Sequence, residues 1–583
     1  MSRFARSGEK WKIRGDASLK RLPFFAKGLV FAFVLLSVKL FLLQVVDYDV
    51  YNGIASGRQD IFSKLNPVRG EIFVRDRDSA ELQPVAANTV VYAIYAEPKD
   101  IADPNGAAAK LAPILGLEEE EIADKLNRSG DPYEPLKGKV SDEEAQKIKE
   151  LGIKGIKWKR EVMRVYPEGR LGGHITGFVG EDEGGRKGRY GLEGYFEKEL
   201  AGTPARIASQ KSGLGGLLGA GRKPVFARDG SDLVLTLDRT IQFVACDKLR
   251  QAVERHSADG GTVIIMEPET GAILAMCSYP DYDPNKFGEV ENVSVFNNPA
   301  IFFQYEPGSV FKPITMAAAV DAGKVSVDTA YTDTGSVKIG PHEIKNSDGK
   351  ANGVQTMAQV LQNSLNTGAV FAMRQLDDGE FRRYVKAFGF GEETGIEMMS
   401  EVAGDISSLS KRGEIYAATA SFGQGIAVTP LQMVAAFAAL GNGGKLMRPY
   451  IVDEIRRSDG TIIKTAPKET ARVISPRASA IISNMLVSVV ENGHGKRAGV
   501  PGYFVAGKTG TAQIPKAGGG GYEKDATIGS FAGFAPLKNP KFVMLARVDH
   551  PRDVEWAEST AAPLFGEIAK FLLQYMNVPP DRE

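Results

Sequence analysis

The sequence contains little cysteine, and this scarcity excludes two classes of protein. Only Cys246 and Cys277 occur among 583 residues, which is too few for a disulfide-stapled scaffold or a cysteine-based zinc site. The chain also lacks an excess of charge of either sign, because 72 basic residues balance 72 acidic ones. Since nucleic-acid-binding proteins usually carry a clear basic excess, the sequence predicts no nucleic-acid partner.

Histidine is scarce as well, and its spacing does not indicate a metal site. None of the five histidines is paired at a spacing typical of metal ligands, and no G-x-S-x-G motif supports a serine–histidine–aspartate triad. We therefore expect each histidine to be exposed or hydrogen-bonded, and we expect no metal. The five are His174, His256, His342, His494 and His550.

The neutral total hides a strong local asymmetry at the N-terminus. Residues 1–21 contain seven basic and two acidic side chains, and a mostly apolar run follows at residues 22–46. About 20–25 apolar residues can cross a bilayer, and basic residues keep their end in the cytoplasm. We therefore expect a cytoplasmic tail and an uncleaved transmembrane helix. Lys39 is costly in lipid, which indicates either a different register or a contact with a partner membrane helix.

The chain beyond the anchor divides into two regions. Residues 47–220 mix a strand at 89–95 with short helices, one opened by a capping box at Ser141 and Glu144. This region contains no nucleophile–base set, so we expect a structural or partner-binding module. It ends in the glycine-rich stretch 205–222, which is typical of a loop or linker.

Residues 221–583 have the pattern of a mixed α/β domain. Strands are expected at 232–238, 262–266 and 272–276, with a helix through His256, and Cys246 and Cys277 lie on that helix and the third strand. We expect two buried free thiols, with a disulfide as the alternative. Helices are expected between Pro313 and Leu440 and at 563–575, and strands near 504–506, 527–534 and 541–548.

A serine followed three residues later by lysine occurs four times, and one copy has a suitable context. On a helix the two side chains share a face, so a lysine with a depressed pKa can take the serine proton. Ser309 and Lys312 follow Pro307-Gly308 and open an apolar stretch to Val320, which predicts a buried helix with Ser309 at its N-terminus. The other pairs lie in basic or polar sequence: Ser7 and Lys10, Ser347 and Lys350, and Ser408 and Lys411.

Two further motifs follow in order. Ser364-Leu-Asn366 lies between two amphipathic stretches, so we expect it on a tight connection between helices. Lys508-Thr-Gly-Thr511 follows an apolar run and is predicted to end a strand, where glycine lets a substrate backbone approach closely. A decoy, Lys211-Ser-Gly213, precedes Ser309 and lies in the glycine-rich linker, so we discard it.

Together these motifs resemble the serine acyl-transferases that bind penicillin, with S-x-x-K, S-x-N and K-T-G. The sequence most resembles class B penicillin-binding proteins, the peptidoglycan D,D-transpeptidases. YEPGSVFKP around Ser309, residues 421–433 and residues 505–513 carry this resemblance, as do the pedestal stretches 164–180 and 190–194. RGEIFVRDR at residues 69–77 departs from the family pattern by an extra residue or two before the aspartate.

The resemblance implies a multidomain α/β and α+β fold. A single N-terminal transmembrane helix (22–46) follows the tail (1–21). An elongated mixed pedestal domain of the dimerisation type (47–220) comes next. A transpeptidase domain (221–583), an antiparallel sheet with flanking helices, completes the chain.

The resemblance also implies roles for individual residues. Ser309 would be the nucleophile on a D-Ala–D-Ala carbonyl and Lys312 the general base. Ser364, helped by Lys508, would relay a proton to the leaving D-alanine, and Asn366 would hold the substrate amide and contact Lys312. The hydroxyls of Thr509 and Thr511 would bind the terminal carboxylate, Gly510 would allow close approach, and the N–H groups of Ser309 and Thr511 would form the oxyanion hole. No metal or organic cofactor is implied.

The implied partners are stem peptides, β-lactams, a polytopic glycosyltransferase of the shape, elongation, division and sporulation type, and other division-complex membrane proteins. The implied location is the cytoplasmic membrane, with the catalytic domain outside. Residues 421–433 and 505–513 most resemble septal members, with an elongation-type transpeptidase as the alternative. A β-lactamase would share the three motifs, and a membrane-anchored penicillin sensor is a further alternative.

Overall fold

The computed structural model describes residues 22–46, 67–204 and 227–582, except for residues 78, 80, 129, 184, 517 and 519. The predicted basic tail, the glycine-rich linker and the first residues of the predicted pedestal lie outside the described residues. The chain divides into two compact units, which we describe separately.

The first unit contains helix α1, Leu22–Phe41, which continues as a π-helical turn, Leu42–Val46. Large apolar side chains of this helix, among them Leu29, Phe31 and Phe33, are exposed. Within the part of the chain that the structure describes, no helix has both the length and the apolar character of a membrane span.

The second unit comprises Arg69–Gly202 and Asp229–Glu583. Its first helices are α2 (Pro104–Leu115), α3 (Glu119–Leu126), α4 (Asp142–Glu150), α5 (Gly173–Thr176), α6 (Gly191–Tyr195), α7 (Glu197–Ala201) and α8 (Arg239–Arg255). The later ones are α9 (Pro299–Phe302), α10 (Lys312–Asp321), α11 (Met357–Gln362), α12 (Asn366–Arg374), α13 (Asp378–Ala387), α14 (Glu414–Ala420), α15 (Pro430–Gly441), α16 (Pro476–Asn492) and α17 (Ala561–Tyr575).

The strands of this unit are numbered in chain order. The first ten are β1 (Ile72–Arg75), β2 (Leu82–Ala96), β3 (Glu134–Val140), β4 (Ile156–Val165), β5 (Phe178–Asp182), β6 (Gly185–Arg189), β7 (Asp232–Asp238), β8 (Gly260–Met266), β9 (Ile273–Tyr279) and β10 (Ala330–Asp333). The rest are β11 (Ser336–Ile339), β12 (His342–Lys345), β13 (Gly353–Thr356), β14 (Lys445–Met447), β15 (Val452–Arg456), β16 (Ile462–Lys464), β17 (Glu469–Arg472), β18 (Ala506–Pro515), β19 (Tyr522–Ala535) and β20 (Phe542–Asp549).

A seven-stranded sheet connects the N-terminal region of this unit with the later part of the chain. Its order is β16-β15-β7-β1-β2-β3, and β4 also pairs with β2. The strands β1 and β7 pair in parallel, and their register shifts between Phe73 and Arg75, within the stretch that departs from the family pattern. Asp76 of that stretch accepts hydrogen bonds of 3.0 Å from the backbone N–H and the hydroxyl of Thr240, at the start of α8.

A buried ion cluster holds the short helices α6 and α7 against this sheet. The carboxylate of Glu193 is fully buried and accepts hydrogen bonds of 2.7 Å from both Arg69 and Arg164. The hydroxyl of Tyr166 donates to the same carboxylate, and Arg69 also pairs with Glu197 at 2.8 Å. Residues from three separated pedestal stretches thus meet at one carboxylate.

A five-stranded antiparallel sheet, of order β18-β19-β20-β8-β9, forms the centre of the later part of this unit. Alternate residues of its strands point to opposite faces. One face packs against α8 and α17, and the other packs against a larger core that includes α10 and α15. The strand β18 lies at the edge of this sheet, so one side of it is open to other elements.

The two cysteines are bonded to each other, so the expectation of free thiols was wrong. Cys246 on α8 and Cys277 on β9 have Cα atoms 5.3 Å apart, a separation within the usual range for a disulfide. The helix packs directly on this strand, which brings together two positions 31 residues apart.

Most predicted elements are confirmed, with one shift that matters for the site. The capping box at Ser141 opens α4 as predicted, and β7 and α8 have nearly the predicted bounds. The strand expected at 504–506 instead begins at Ala506 and runs to Pro515. The K-T-G motif therefore lies within the first half of β18 rather than at the end of a strand.

Candidate active site

Ser309 lies on a tight turn that leads into a buried helix, as the sequence predicts. A 3₁₀ turn, Gly308–Phe311, precedes α10, which begins at Lys312. Gly308 has a φ of +59°, a left-handed conformation that glycine adopts without steric cost. The side chains of Ser309 and Lys312 therefore enter the site from one short segment.

The turn that carries Ser309 packs closely against β18. A Cβ atom added at Gly510 would lie 2.9 Å from the backbone nitrogen of Val310 and 3.0 Å from the carbonyl oxygen of Pro307. Since these are main-chain atoms, they cannot move aside by a change of rotamer. Glycine at 510 is therefore required by the approach of the Ser309 turn as well as by any substrate.

A second loop supports the same turn. The backbone N–H of Gly308 donates to the carbonyl of Gly423 at 3.0 Å, and the hydroxyl of Thr315 donates to the carbonyl of Ser421 at 2.7 Å. Glu306 accepts hydrogen bonds of 2.9 Å from the N–H of Gly425 and from the hydroxyl of Tyr522. The stretch 421–425 thus fixes the chain where it enters the Ser309 turn.

Ser364 lies on the connection between α11 and α12, as the motif predicts. Its φ is +54°, which is uncommon for a residue with a side chain. Strained residues of this kind cost roughly 1–3 kcal/mol and cluster at functional sites. The conformation directs the serine hydroxyl to the two lysines.

The two lysines of the motifs meet at Ser364. The Nζ atom of Lys312 donates to the carbonyl oxygen of Ser364 and, at 3.2 Å, to its hydroxyl oxygen. The Nζ atom of Lys508 donates to the same hydroxyl at 3.0 Å and to the carbonyl of Thr509 at 3.0 Å. A continuous path for protons therefore connects the three side chains.

Burial changes the acidity of both lysines. The exposed fractions of Lys312 and Lys508 are 1% and 0%. Burial lowers the pKa of Lys312 well below its usual range, and the positive charge of Lys508 lowers it further. Burial lowers the pKa of Lys508 to about 7, and the carboxylate of Glu558 opposes this shift. The lowered pKa favours the neutral amine of Lys312, which is the form that can accept a proton.

Ser309 and Ser364 face a cleft of about 200 Å³ together with Thr509 and Thr511. The hydroxyl of Thr511 accepts a hydrogen bond of 3.1 Å from the backbone N–H of Ala557, and it keeps its own proton to donate. Seven of the eight predicted site residues lie at or beside this cleft.

The eighth, Asn366, lies at the start of α12, and its predicted contact with Lys312 is not formed. Its amide donates instead to the carbonyl of Lys345 at 2.8 Å, because the hairpin segment before Asn346 approaches the start of the helix. The Nζ atom of Lys312 is bonded to Ser364.

Several residues of the cleft were not predicted from the sequence. Asn346, Ser347 and Asp348 form part of one wall, and His494, Trp556 and Glu558 also line the cleft. Nδ1 of His494 lies 3.1 Å from the carboxylate of Glu558, and Trp556 is 44% exposed. Nothing in the local sequence indicates their place, because distant segments bring them to the site. Ser347 belonged to a rejected S-x-x-K pair and contributes to the wall.

One serine thus faces the cleft, and two buried lysines meet at a second serine beside it. Residues 261–570 match the family described as penicillin binding protein transpeptidase domain, and residues 64–235 match the penicillin-binding protein dimerisation domain. The chain belongs to the transpeptidase family of penicillin-binding proteins.

Named relatives agree with this assignment. The chain is 34% identical to stage V sporulation protein D of Bacillus subtilis, over 96% of this chain and 86% of that protein. It is 30% identical to a peptidoglycan D,D-transpeptidase FtsI homolog of Mesostigma viride, over 94% of each chain. The crystal structure of penicillin binding protein 3 from Mycobacterium tuberculosis with aztreonam superposes with a TM-score of 0.68 at 26% identity, covering 88% of this chain and 97% of that one.

Proposed function

We propose that this chain is a peptidoglycan D,D-transpeptidase that cross-links stem peptides through a serine acyl-enzyme. The hydrogen-bonded series Lys312–Ser364–Lys508 beside Ser309 carries the proposal. The relatives named as D,D-transpeptidases and the match of residues 261–570 support it.

The first half of the reaction forms the acyl-enzyme. The Oγ atom of Ser309 attacks the carbonyl carbon between two D-alanines while neutral Lys312 takes the serine proton. As the peptide C–N bond breaks, the leaving amine receives a proton through Ser364 and Lys508, which are 3.0 Å apart. The product is an ester on Ser309 and free D-alanine.

The second half transfers the acyl group. The amine of a second stem attacks the ester carbonyl and loses a proton, and Ser309 regains its hydrogen as the ester bond breaks. The atoms balance, because one amide is lost and one is formed, so no cofactor is required.

The remaining predicted residues bind the donor stem. The hydroxyls of Thr509 and Thr511 bind the terminal carboxylate beside Lys508. The resemblance assigns the substrate amide to Asn366, whose side-chain amide must then leave the carbonyl of Lys345 to which it donates in this structure. The N–H groups of Ser309 and Thr511 form the oxyanion hole, in which one donor is worth about 3–4 kcal/mol. Glycine at 510 leaves room for the substrate backbone.

Covalent labelling by a fluorescent penicillin tests the proposal. We expect the wild-type chain to retain the label and the Ser309→Ala variant to take up none. Ser408→Ala is the matched control, since Ser408 also belongs to an S-x-x-K sequence but does not line the cleft, and it should label normally. Stable labelling of Ser309→Ala would contradict the proposal.

Two further measurements, the release of bound penicillin and cross-linking in cells, separate the alternatives. Slow release of the bound penicillin agrees with a transpeptidase, whereas rapid turnover would identify a β-lactamase. Normal cross-linking in cells that carry only Ser309→Ala would show that the chain has a sensory or assembly role instead.

The septal type is the favoured subtype. The likeness of the chain to a FtsI homolog and to a sporulation protein supports division-type synthesis over elongation. A fluorescent fusion in dividing cells should lie at midcell, and a side-wall distribution would favour the elongation-type alternative.

The proposed chain order is a cytoplasmic tail at 1–21, an anchor at 22–46, a pedestal at 47–220 and a transpeptidase domain at 221–583. The basic tail and the apolar run support an anchor in the cytoplasmic membrane with the enzyme outside.

A partner glycosyltransferase would contact the anchor at Lys39. Lys39→Leu should keep membrane insertion and reduce co-purification with the glycosyltransferase, and unchanged co-purification would refute this contact.

A further inference from the structure

A buried carboxylate lies behind the Ser-Leu-Asn motif and takes no part in the proposed chemistry. Asp333 ends β10, and 1% of its side chain is exposed. It accepts hydrogen bonds from the N–H of Gly335 at 3.0 Å and the amide of Asn346 at 2.9 Å. It also accepts from the N–H and amide of Asn352, at 3.0 and 2.7 Å, and from the hydroxyl of Thr367 at 2.7 Å.

These donors belong to two different parts of the site. Asn346 and Asn352 lie on the loop between β12 and β13, and Asn346 lines the cleft. Thr367 lies in the first turn of α12, next to Asn366 and three residues after Ser364. The two parts are also bonded directly, because the side-chain oxygen of Asn346 accepts from the N–H of Thr367 at 3.2 Å.

Hydrogen bonds alone keep this carboxylate ionised. Within the described residues, Asp333 forms no ion pair with a lysine, arginine or histidine side chain. Burial acts to raise the pKa of Asp333, but the hydrogen bonds from Asn352, Thr367, Gly335 and Asn346 hold it below its usual value. An asparagine at 333 would present a donor where several donors already converge, so it would break the cluster without changing its volume.

We propose that Asp333 is a positioning residue for the Ser-x-Asn motif. By tying the loop 346–352, which carries the cleft wall at 346–348, to the first turn of α12, it sets the place of Ser364 between Lys312 and Lys508. The inference rests on the serine acylation proposed above, and it adds a residue that touches neither substrate nor the reacting atoms.

The test measures penicillin acylation of the full chain at several penicillin concentrations. This separates the dissociation constant from the first-order acylation constant, and the labelled fraction at completion counts the folded active sites. In Asp333→Asn we expect the acylation constant to fall about 10-fold to 100-fold, with a dissociation constant and a final labelled fraction close to wild type. Asp328→Asn, an exposed carboxylate in the same region, is the matched control and should behave as wild type.

A purely structural role would give a different result. The labelled fraction would then fall while the remaining sites react at the wild-type rate, and this outcome would overturn the proposal. An Asp333→Asn protein with a wild-type acylation constant would overturn the proposal as well. Failure of the wild-type chain itself to acylate would instead refute the proposed function, so the two failures are distinguishable.

A second variant keeps the test valid if Asp333→Asn does not fold. Thr367→Val removes one donor of the cluster and preserves the shape of the side chain, and the acylation constant should fall about fivefold. In a foldable double variant, Thr367→Val should add little to Asp333→Asn, because both changes break the same connection. A Thr367→Val protein with a wild-type acylation constant would overturn the proposal.

Discussion

Lys312 and Lys508 have the same side chain but are suited to different tasks. Lys312 donates to both oxygens of Ser364, and its pKa is lowered by burial and by its cationic neighbour. Lys508 contacts Ser364 and Thr509, and burial lowers its pKa to about 7 while the carboxylate of Glu558 opposes this shift. The first environment favours a neutral amine, the form that accepts a proton, and the second keeps part of the positive charge that the proposed carboxylate binding uses.

These environments predict a bell-shaped dependence of acylation on pH. Acylation should rise with pH as Lys312 loses its proton, since only the neutral amine accepts the proton of Ser309. It should fall above about 7, where Lys508 loses the charge that binds the substrate carboxylate. In Lys508→Arg the guanidinium stays charged, so the alkaline limb should disappear even if the maximum is lower.

Acylation constants measured from pH 5 to 9 check this prediction. The control is Lys516→Arg, an exposed lysine that directly follows β18, which should keep the bell shape. Persistence of the alkaline limb in Lys508→Arg would show that another group titrates there.

At the scale of single residues, the sequence was sufficient to predict a site residue where a motif combines the residue type with a distinctive local context. Ser309 was separated from three other S-x-x-K serines by the glycine before it and the apolar helix after it. The cleft residues Asn346, Trp556 and Glu558 could not be found this way, because their proximity to Ser309 depends on pairings between segments far apart in the chain. Asp333 could not be found from the local sequence either, because its hydrogen-bond donors lie up to 34 residues away.

Between elements, the Ser309 turn packs closely against β18 at Gly510. Gly510→Ala should displace the turn, because the added Cβ meets main-chain atoms of Val310 and Pro307 at 2.9–3.0 Å. Overpacking of this kind costs about 1–3 kcal/mol. We expect penicillin acylation to fall at least about tenfold, with a moderate decrease in melting temperature.

Gly288→Ala is the control, because a Cβ at that position meets no heavy atom within 4 Å. It should leave both acylation and melting unchanged. Normal acylation by Gly510→Ala would mean that the turn and the strand can separate without loss of the site.

The elements themselves were largely predictable, and their pairings were not. The periodicity and the capping signals located α4, β7 and α8 to within a residue or so. The parallel pairing of β1 with β7 joins strands about 160 residues apart, and no local pattern specifies it. The same limit explains the error on Cys246 and Cys277, whose bond depends on how α8 packs on β9.

On the scale of the whole molecule, the seven-stranded sheet makes the pedestal and the catalytic region share structure. Strands β1 to β4 precede β7, and strands β15 and β16 come from beyond the Ser309 motif. A sheet continuous across both regions should unfold cooperatively, so we expect one thermal transition for the second unit.

Glu193→Gln tests this expectation. The substitution leaves Arg69 and Arg164 facing a neutral group in a buried site, and breaking a buried pair costs about 3–5 kcal/mol. Calorimetry should show a single transition at lower temperature, at which penicillin labelling is lost as well. The control Glu181→Gln, an exposed partner of Arg186, should shift the transition little. A separate pedestal transition that leaves labelling intact would contradict the prediction.

The close contact at Gly510 also affects which amino-acid substitutions the enzyme can tolerate. The Ser309 turn contacts Gly423 and Gly510 through main-chain atoms of Pro307, Gly308 and Val310. Few side-chain replacements can therefore shift the position of the turn by small steps. The walls at 346–348 and at Trp556 are formed by side chains of loops, where replacements are better tolerated. Under antibiotic selection, variants that evade a β-lactam and still build cell wall should therefore accumulate changes in the walls and preserve the turn.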